Sequence, residues 1–171
     1  MCAAVRGEIR QSKPFRSIEE ESVVALILTT DLVLRRLAEV IEPSGITHQQ
    51  YNVLRILRGS HPEPLPTLEI ASRMIEQTPG ITRLLDRLEV KGLVSRERGS
   101  DDRRCVYCAI SARGLALLEQ LDRPVRQVAL NAFAGLEETR QRRLLAMLDE
   151  VRAALREPAA RPTRPSGGSR A

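Results

Sequence analysis

The stretch from Glu76 to Gly92, EQTPGITRLLDRLEVKG, limits the fold more than any other part of the chain. Thr78 is placed to cap a helix, Pro79 suits its first position, and Gly92 suits a left-handed stop. Between them Ile81, Leu84, Leu85 and Leu88 form one stripe on a 3.6-residue wheel. Arg83 falls nearly opposite that stripe, with Thr82, Asp86 and Arg87 on its flanks. A helix this short does not hold itself in water, so it must dock through the stripe and leave its polar face outward. It runs straight into LVSRERGSDDRRCVYCAI, two strand-like runs joined by GSDD, a sequence suited to a tight turn.

The rest of the chain reads as helices around this unit. Ser17-Ile18-Glu19-Glu20 is a capping-box pattern opening a helix over about residues 18–41 that is apolar on more than one face and stops at Pro43 and Gly45. Thr47-His48-Gln49-Gln50 is a second capping box, for a helix carrying Val53, Leu54, Ile56 and Leu57 and ending at Gly59. The prolines of HPEPLP, residues 61–66, exclude helix. Thr67 is expected to cap a short helix with Leu68, Ala71, Met74 and Ile75 inward. Ser111 can cap a long helix towards Phe133, with a kink or break at Pro124, and a last helix covers about 136–156. Residues 1–16 read as a flexible arm and 158–171, rich in Pro, Arg, Gly and Ser, as a disordered tail.

Composition narrows the function. Of 171 residues, 42% are hydrophobic and 2% aromatic, with no Trp, so the core is aliphatic. That scarcity disfavours surfaces that stack unpaired bases on aromatic rings. The net charge of +5 leaves an acidic partner open. Tyr51 and Tyr107 read as packing residues. Three Cys give no disulfide framework; Cys105 and Cys108, three apart in a strand, should face opposite ways. Two isolated His complete no metal site, and no cofactor is expected. No signal peptide or membrane-length apolar run is seen, so a cytoplasmic protein without membrane association is expected. No nucleophile with a base, paired carboxylates or phosphate loop suggests an enzyme.

What the central unit can do is bind duplex DNA. Two short helices joined by a tight turn match a helix-turn-helix, and the major groove admits one helix. Arg83 can bond two acceptors on a guanine edge. Free amides at the helix start favour phosphate. In the hairpin, Arg96 and Arg98 leave on one strand and Arg103 and Arg104 return on the other. Asp102 at the tip can hold a neighbouring guanidinium in one pose for a narrow minor groove. Asp86 could accept from cytosine, but local pairing to Arg83 or Arg87 is the preferred reading.

The ordered set of LTTDLVLRRL, GITHQQYNVLRIL and LPTLEIASRMIEQTPGITRLLDRLEVKGLVSRERGSDDRRCVYCAISARG resembles the MarR family of bacterial transcription regulators over about residues 18–155. The Asp102-x-Arg104 tip, Gly92-Leu93-Val94 and Ser111-x-x-Gly114 sit where that family places them. Cysteines in the second wing strand and Ser111 in place of Thr are departures. The resemblance implies a mainly α fold with a small β-hairpin wing: a winged helix-turn-helix lobe over about 47–111 inside a 17–157 domain with N- and C-terminal dimerisation helices. It implies a homodimer held by the first and last two helices, on a pseudo-palindromic operator, acting as a repressor. Family members often bind a small aromatic or lipophilic effector; its binding residues are not legible here. The expected DNA-contacting residues are Thr78, Gly80, Thr82, Arg83, Arg87, Arg96, Arg98, Asp102, Arg103 and Arg104. The alternative is a winged helix used only for protein–protein contact.

Overall fold

The structure is a computed structural model that describes residues 3–76, 80–99 and 105–156. Two compact units divide the chain, Met1–Leu130 and Asn131–Ala171.

The first unit opens with α1 (Ala3–Glu8), so part of the expected loose arm is helical. The Arg6 guanidinium donates to the Ser12 carbonyl and ties the following turn back. Helix α2 (Ile18–Ile41) starts as expected, with the Ser17 hydroxyl accepting from the Glu20 amide. The returning carboxylate of Glu20 takes the Arg16 amide instead of that of Ser17. A 3₁₀ turn over Glu42–Ser44 ends at left-handed Gly45. Helix α3 (His48–Ser60) has the full reciprocal box between Thr47 and Gln50.

Where the chain cannot be helical it makes a strand, β1 (Leu65–Pro66), which sequence reading missed. Helix α4 (Thr67–Arg73) follows at once. Thr67 does not cap it: Pro66 is the cap position, and the Thr67 hydroxyl donates to the Val106 carbonyl at 3.1 Å. The inward face also differs from expectation. Ile70 is fully buried and Met74 nearly so, whereas Leu68 and Ile75 are 82% and 80% exposed. Helix α5 spans Ile81–Val90, beginning two residues later than the sequence suggests, because Gly80 takes a left-handed conformation (φ 110°) at its cap. The expected cap Thr78 and Pro79 lie outside the described residues. Gly92 is left-handed, as expected, and the Leu93 amide returns to the Leu88 carbonyl.

Strands β2 (Val94–Arg98) and β3 (Val106–Ile110) pair antiparallel, with Arg96 opposite Cys108 and Arg98 opposite Val106. Strand β1 adds to the other edge of β3, giving the order β1-β3-β2. Ser111 fastens the root of this hairpin: its hydroxyl donates to the Gly92 carbonyl and accepts from the Gly114 amide, opening α6 (Ala112–Phe133). Of the kink or break expected at Pro124, a break does not occur: α6 is continuous through it.

One aliphatic core joins these pieces. Ile41, Leu54, Leu57, Ile70, Leu85, Leu88 and Leu118 are all completely hidden, drawn from α2, α3, α4, α5 and α6. Arg58 bridges from α3 to Asp122 of α6 through two bonds of 2.9 and 3.0 Å. Gln50, the buried polar side chain of the core, accepts from the Thr47 amide and from Lys91 Nζ, which also donates to the Gly45 carbonyl. Lys91 thereby ties the end of α5 to the start of α3.

The second unit contains the end of α6 and α7 (Glu138–Arg156), whose Leu145, Met147, Val151 and Leu155 are exposed. Among the described residues no helix is long and apolar enough to cross a membrane.

Candidate nucleic-acid interface

Helix α5 is built the way its wheel demands. Leu84, Leu85 and Leu88 are buried and Ile81 half-buried, so the opposite side is fixed outward. Thr82, Arg83 and Arg87 are exposed on that side, and among the described residues no carboxylate is paired with either arginine. Gly80 stands at the helix start, where unsatisfied amides and the positive end of the helix dipole favour an anion.

Arg96 does something other than what its place in the wing suggests. Its guanidinium bonds Glu89 at 2.5 and 2.8 Å and Asp86 at 2.7 Å. Hydrogen bonding to Glu89 holds its pKa above the ordinary arginine value; burial opposes this and the bond to Asp86 adds to it. The carboxylate Asp86 is thus taken by Arg96 of the wing strand, not by Arg83 or Arg87 on its own helix. The physical reason is reach: β2 runs back beside α5, and two carboxylates one turn apart receive one planar fork better than a neighbour on the same helix surface. Arg96 is a strut between wing and helix, half-buried and already neutralised. Nothing in sequence spacing signals the pairing; Glu89, the partner with two bonds, was missed.

Arg98, two residues on, is exposed and carries no ion pair among the described residues. Asp102, Arg103 and Arg104, expected at the wing tip, lie outside the described residues, as does Thr78. Thr82, Arg83 and Arg87 are therefore brought together on one face, with Arg98 on the adjoining strand.

Neither Cys105 nor Cys108 forms a disulfide. Cys105 lies just before β3, and Cys108 is fully buried; burial pushes its thiol pKa up, partly opposed by a hydrogen bond with Thr67. Tyr51 is buried as a packing residue, whereas Tyr107 stands at the margin of exposure on the sheet surface. No group of metal-ligating side chains occurs among the described residues.

A helix docked by one apolar stripe, presenting threonine and arginine, with an antiparallel wing braced against it, defines a winged helix-turn-helix of the DNA-binding class. The sequence profile of the MarR family matches residues 46–106. A MarR transcription factor from Planctomyces limnophilus is 38% identical to this chain, with a TM-score of 0.63 over 80% of this chain and 98% of that one. The HTH-type transcriptional regulator FarR of Neisseria gonorrhoeae is 26% identical over 142 residues, 83% of this chain and 93% of FarR. A cysteine-to-serine mutant of MarR from E. coli, crystallised with operator DNA, is 25% identical with a TM-score of 0.67, covering 74% of this chain and 90% of that one. The chain belongs to the MarR family: it is a transcriptional regulator and not an enzyme.

Proposed function

We propose that this regulator binds duplex DNA sequence-specifically as a homodimer and represses from a pseudo-palindromic operator in response to a small aromatic or lipophilic effector. The lobe over about residues 47–111 reads the DNA, and the helices on either side of it in sequence form the dimer. One observation carries the reading: a buried leucine stripe fixes Thr82, Arg83 and Arg87 outward with no acidic partner among the described residues. A solvated helix face would ordinarily satisfy its arginines locally, as Arg73 does with Glu69 one turn away on α4. Arg83 is the base-reading candidate, with Arg87, Thr82 and the amides beyond Gly80 positioning the helix on phosphate. Arg98, with Arg103 and Arg104, contacts the minor groove or backbone, with Asp102 orienting a neighbouring arginine.

The dimer reading is supported by apolar side chains that the chain leaves in water on α2, α6 and α7, among them Val23, Ile27, Leu130, Phe133, Leu145 and Val151. Repression follows from occupancy, because a dimer bound across a promoter excludes other proteins from it.

The test is binding to duplex selected from a random pool and to scrambled duplex, across a salt series. Arg83→Ala is expected to cost about 1–3 kcal/mol on the selected site and to relax preference at one base pair. Arg98→Ala is expected to weaken both duplexes evenly and to reduce the salt slope by about one unit. Full sequence preference in Arg83→Ala would falsify the assignment. The alternative, a protein–protein module, draws on Leu68, Ile75 and Val90, which stand almost wholly exposed on the same lobe. Absence of salt-sensitive duplex binding would favour it.

A further inference from the structure

We propose that Lys91 is a positioning residue for DNA recognition: without touching the duplex, its ammonium sets the pose in which α5 presents Thr82, Arg83 and Arg87. The bonds that point to this run across the lobe. Lys91 Nζ donates to the Gly45 carbonyl and, at 3.3 Å, to the Gln50 side chain. Gly45 is the left-handed residue that ends the 3₁₀ turn after α2, so its carbonyl lies at a helical end where a cation is favoured. Gln50 is in the first turn of α3 and is almost completely buried. One side chain at the end of α5 therefore holds both the close of α2 and the start of α3.

Both ends of the bond to Gly45 are anchored. At the donor end, left-handed Gly92 and the return of the Leu93 amide to the Leu88 carbonyl fix where the chain leaves α5, and Leu93 is buried. At the acceptor end, Ile46, next to Gly45, is buried as well. The leucine stripe decides which face of α5 is outward, but burial is an attraction without direction. Hydrogen bonds depend on angle, and so decide how that face is aimed. Arg96 steadies α5 against the wing; Lys91 fixes its end against the rest of the lobe.

The residue type supports the role. Of the 27 Lys and Arg residues, two are lysine, Lys13 and Lys91, so this chain fills nearly all its cationic positions with arginine. An ammonium is compact and sends its donors in three directions, which suits two oxygens from separate elements. A guanidinium carries its donors in one plane. Arginine at position 91 would keep the charge and lose one or both bonds.

The inference rests on the duplex-binding reading above, and the experiment separates the two. Full-chain Lys91→Arg and Lys91→Met are compared with the parent in two ways. The first is residual dipolar couplings of backbone amides without DNA, which report how α5 lies relative to β3. The second is binding to duplex selected from a random pool and to scrambled duplex, across a salt series. Both variants are expected to change the couplings of Ile81–Val90 together, relative to those of Val106–Ile110. Both should lose about tenfold or more on the selected duplex, the scale of one misaligned base contact. On scrambled duplex they should stay within about twofold of the parent, with the salt slope unchanged. Parent-like couplings in α5 overturn the proposal, whether or not the protein binds DNA. It is also overturned by full affinity of Lys91→Arg for the selected duplex, or by failure of both variants to fold. An equal loss on both duplexes, with a slope lower by about one unit in Lys91→Met, marks a phosphate contact and overturns it too. A parent without salt-sensitive duplex binding defeats the duplex-binding reading, and the couplings still decide whether Lys91 sets the pose of α5.

Discussion

Helices α5 and α2 treat the same kind of side chain in opposite ways. Leu85 and Leu88 of α5 are completely hidden within the single chain, whereas Val23 and Ile27 of α2, one turn apart, are 55% and 65% exposed. Yet α2 is not loose at both ends, since its last residue, Ile41, is part of the same core as Leu88. The winged lobe is therefore complete on its own, and α2 is complete only at the end that joins it. Apolar surface on the lobe measures stability; apolar surface along α2 is where the homodimer proposed above can be tested.

The contrast is sharpest at Leu88. Leu88→Ala removes a fully buried side chain and should cost about 2–5 kcal/mol, read as a lower denaturant midpoint that does not vary with protein concentration. Next in size is the pair Val23→Glu and Ile27→Glu, which is expected to weaken self-association by about tenfold or more while the monomer stays folded. Sedimentation across a dilution series checks it; unchanged association, or a parent chain that is monomeric throughout, would count against the homodimer reading.

A third substitution probes the joint between wing and core. A Cβ on Gly114 would stand 2.3 Å from the Leu93 carbonyl oxygen and 2.7 Å from Ile110. Backbone cannot step aside as a flexible side chain can, so Gly114→Ala should destabilise by about 1–3 kcal/mol, less up to about 1 kcal/mol gained from helix propensity. A neutral or stabilising result in chemical unfolding would show that the joint yields. The smallest effect is expected for Arg96→Met. Its ion pairs with Asp86 and Glu89 are partly exposed, so the stability change should be within about 1 kcal/mol. If Arg96 is a strut and not a DNA contact, the salt slope of duplex binding should stay unchanged, in contrast with Arg98→Ala.

Much of this architecture could be read from the residues because it is set locally. The hydroxyl caps at Ser17, Thr47 and Ser111 and the left-handed Gly92 each act within a few residues of themselves. The stripe of α5 is legible for the same reason, since four leucine and isoleucine positions recur at helical spacing. The misreadings are of another kind. Helix α4 has only seven residues, too few for periodicity to show that Ile70, and not Leu68, faces inward. Strand β1 is two residues long and exists because β3, some forty residues later, pairs with it. Thr67 looks like a cap and is held by that same strand. The partners of Arg96 depend on where β2 returns beside α5. In the candidate interface, the exposed trio on α5 followed from the sequence, but the pairing of Arg96 with Asp86 and Glu89, which Arg98 does not share among the described residues, required three dimensions.

The position of β3 between β1 and β2 has a mechanical consequence. One edge of this strand carries the hairpin, and the other carries the two residues that lead directly into α4, with Thr67 bonded to Val106 as an additional fastening. The base of the wing and the first helix of the helix-turn-helix therefore cannot swing independently without breaking backbone bonds. They form one lever, paired rung by rung from Val94 to Arg98. In amide exchange, the bonded amides joining β1 and β2 to β3 should therefore lose protection together rather than one edge at a time.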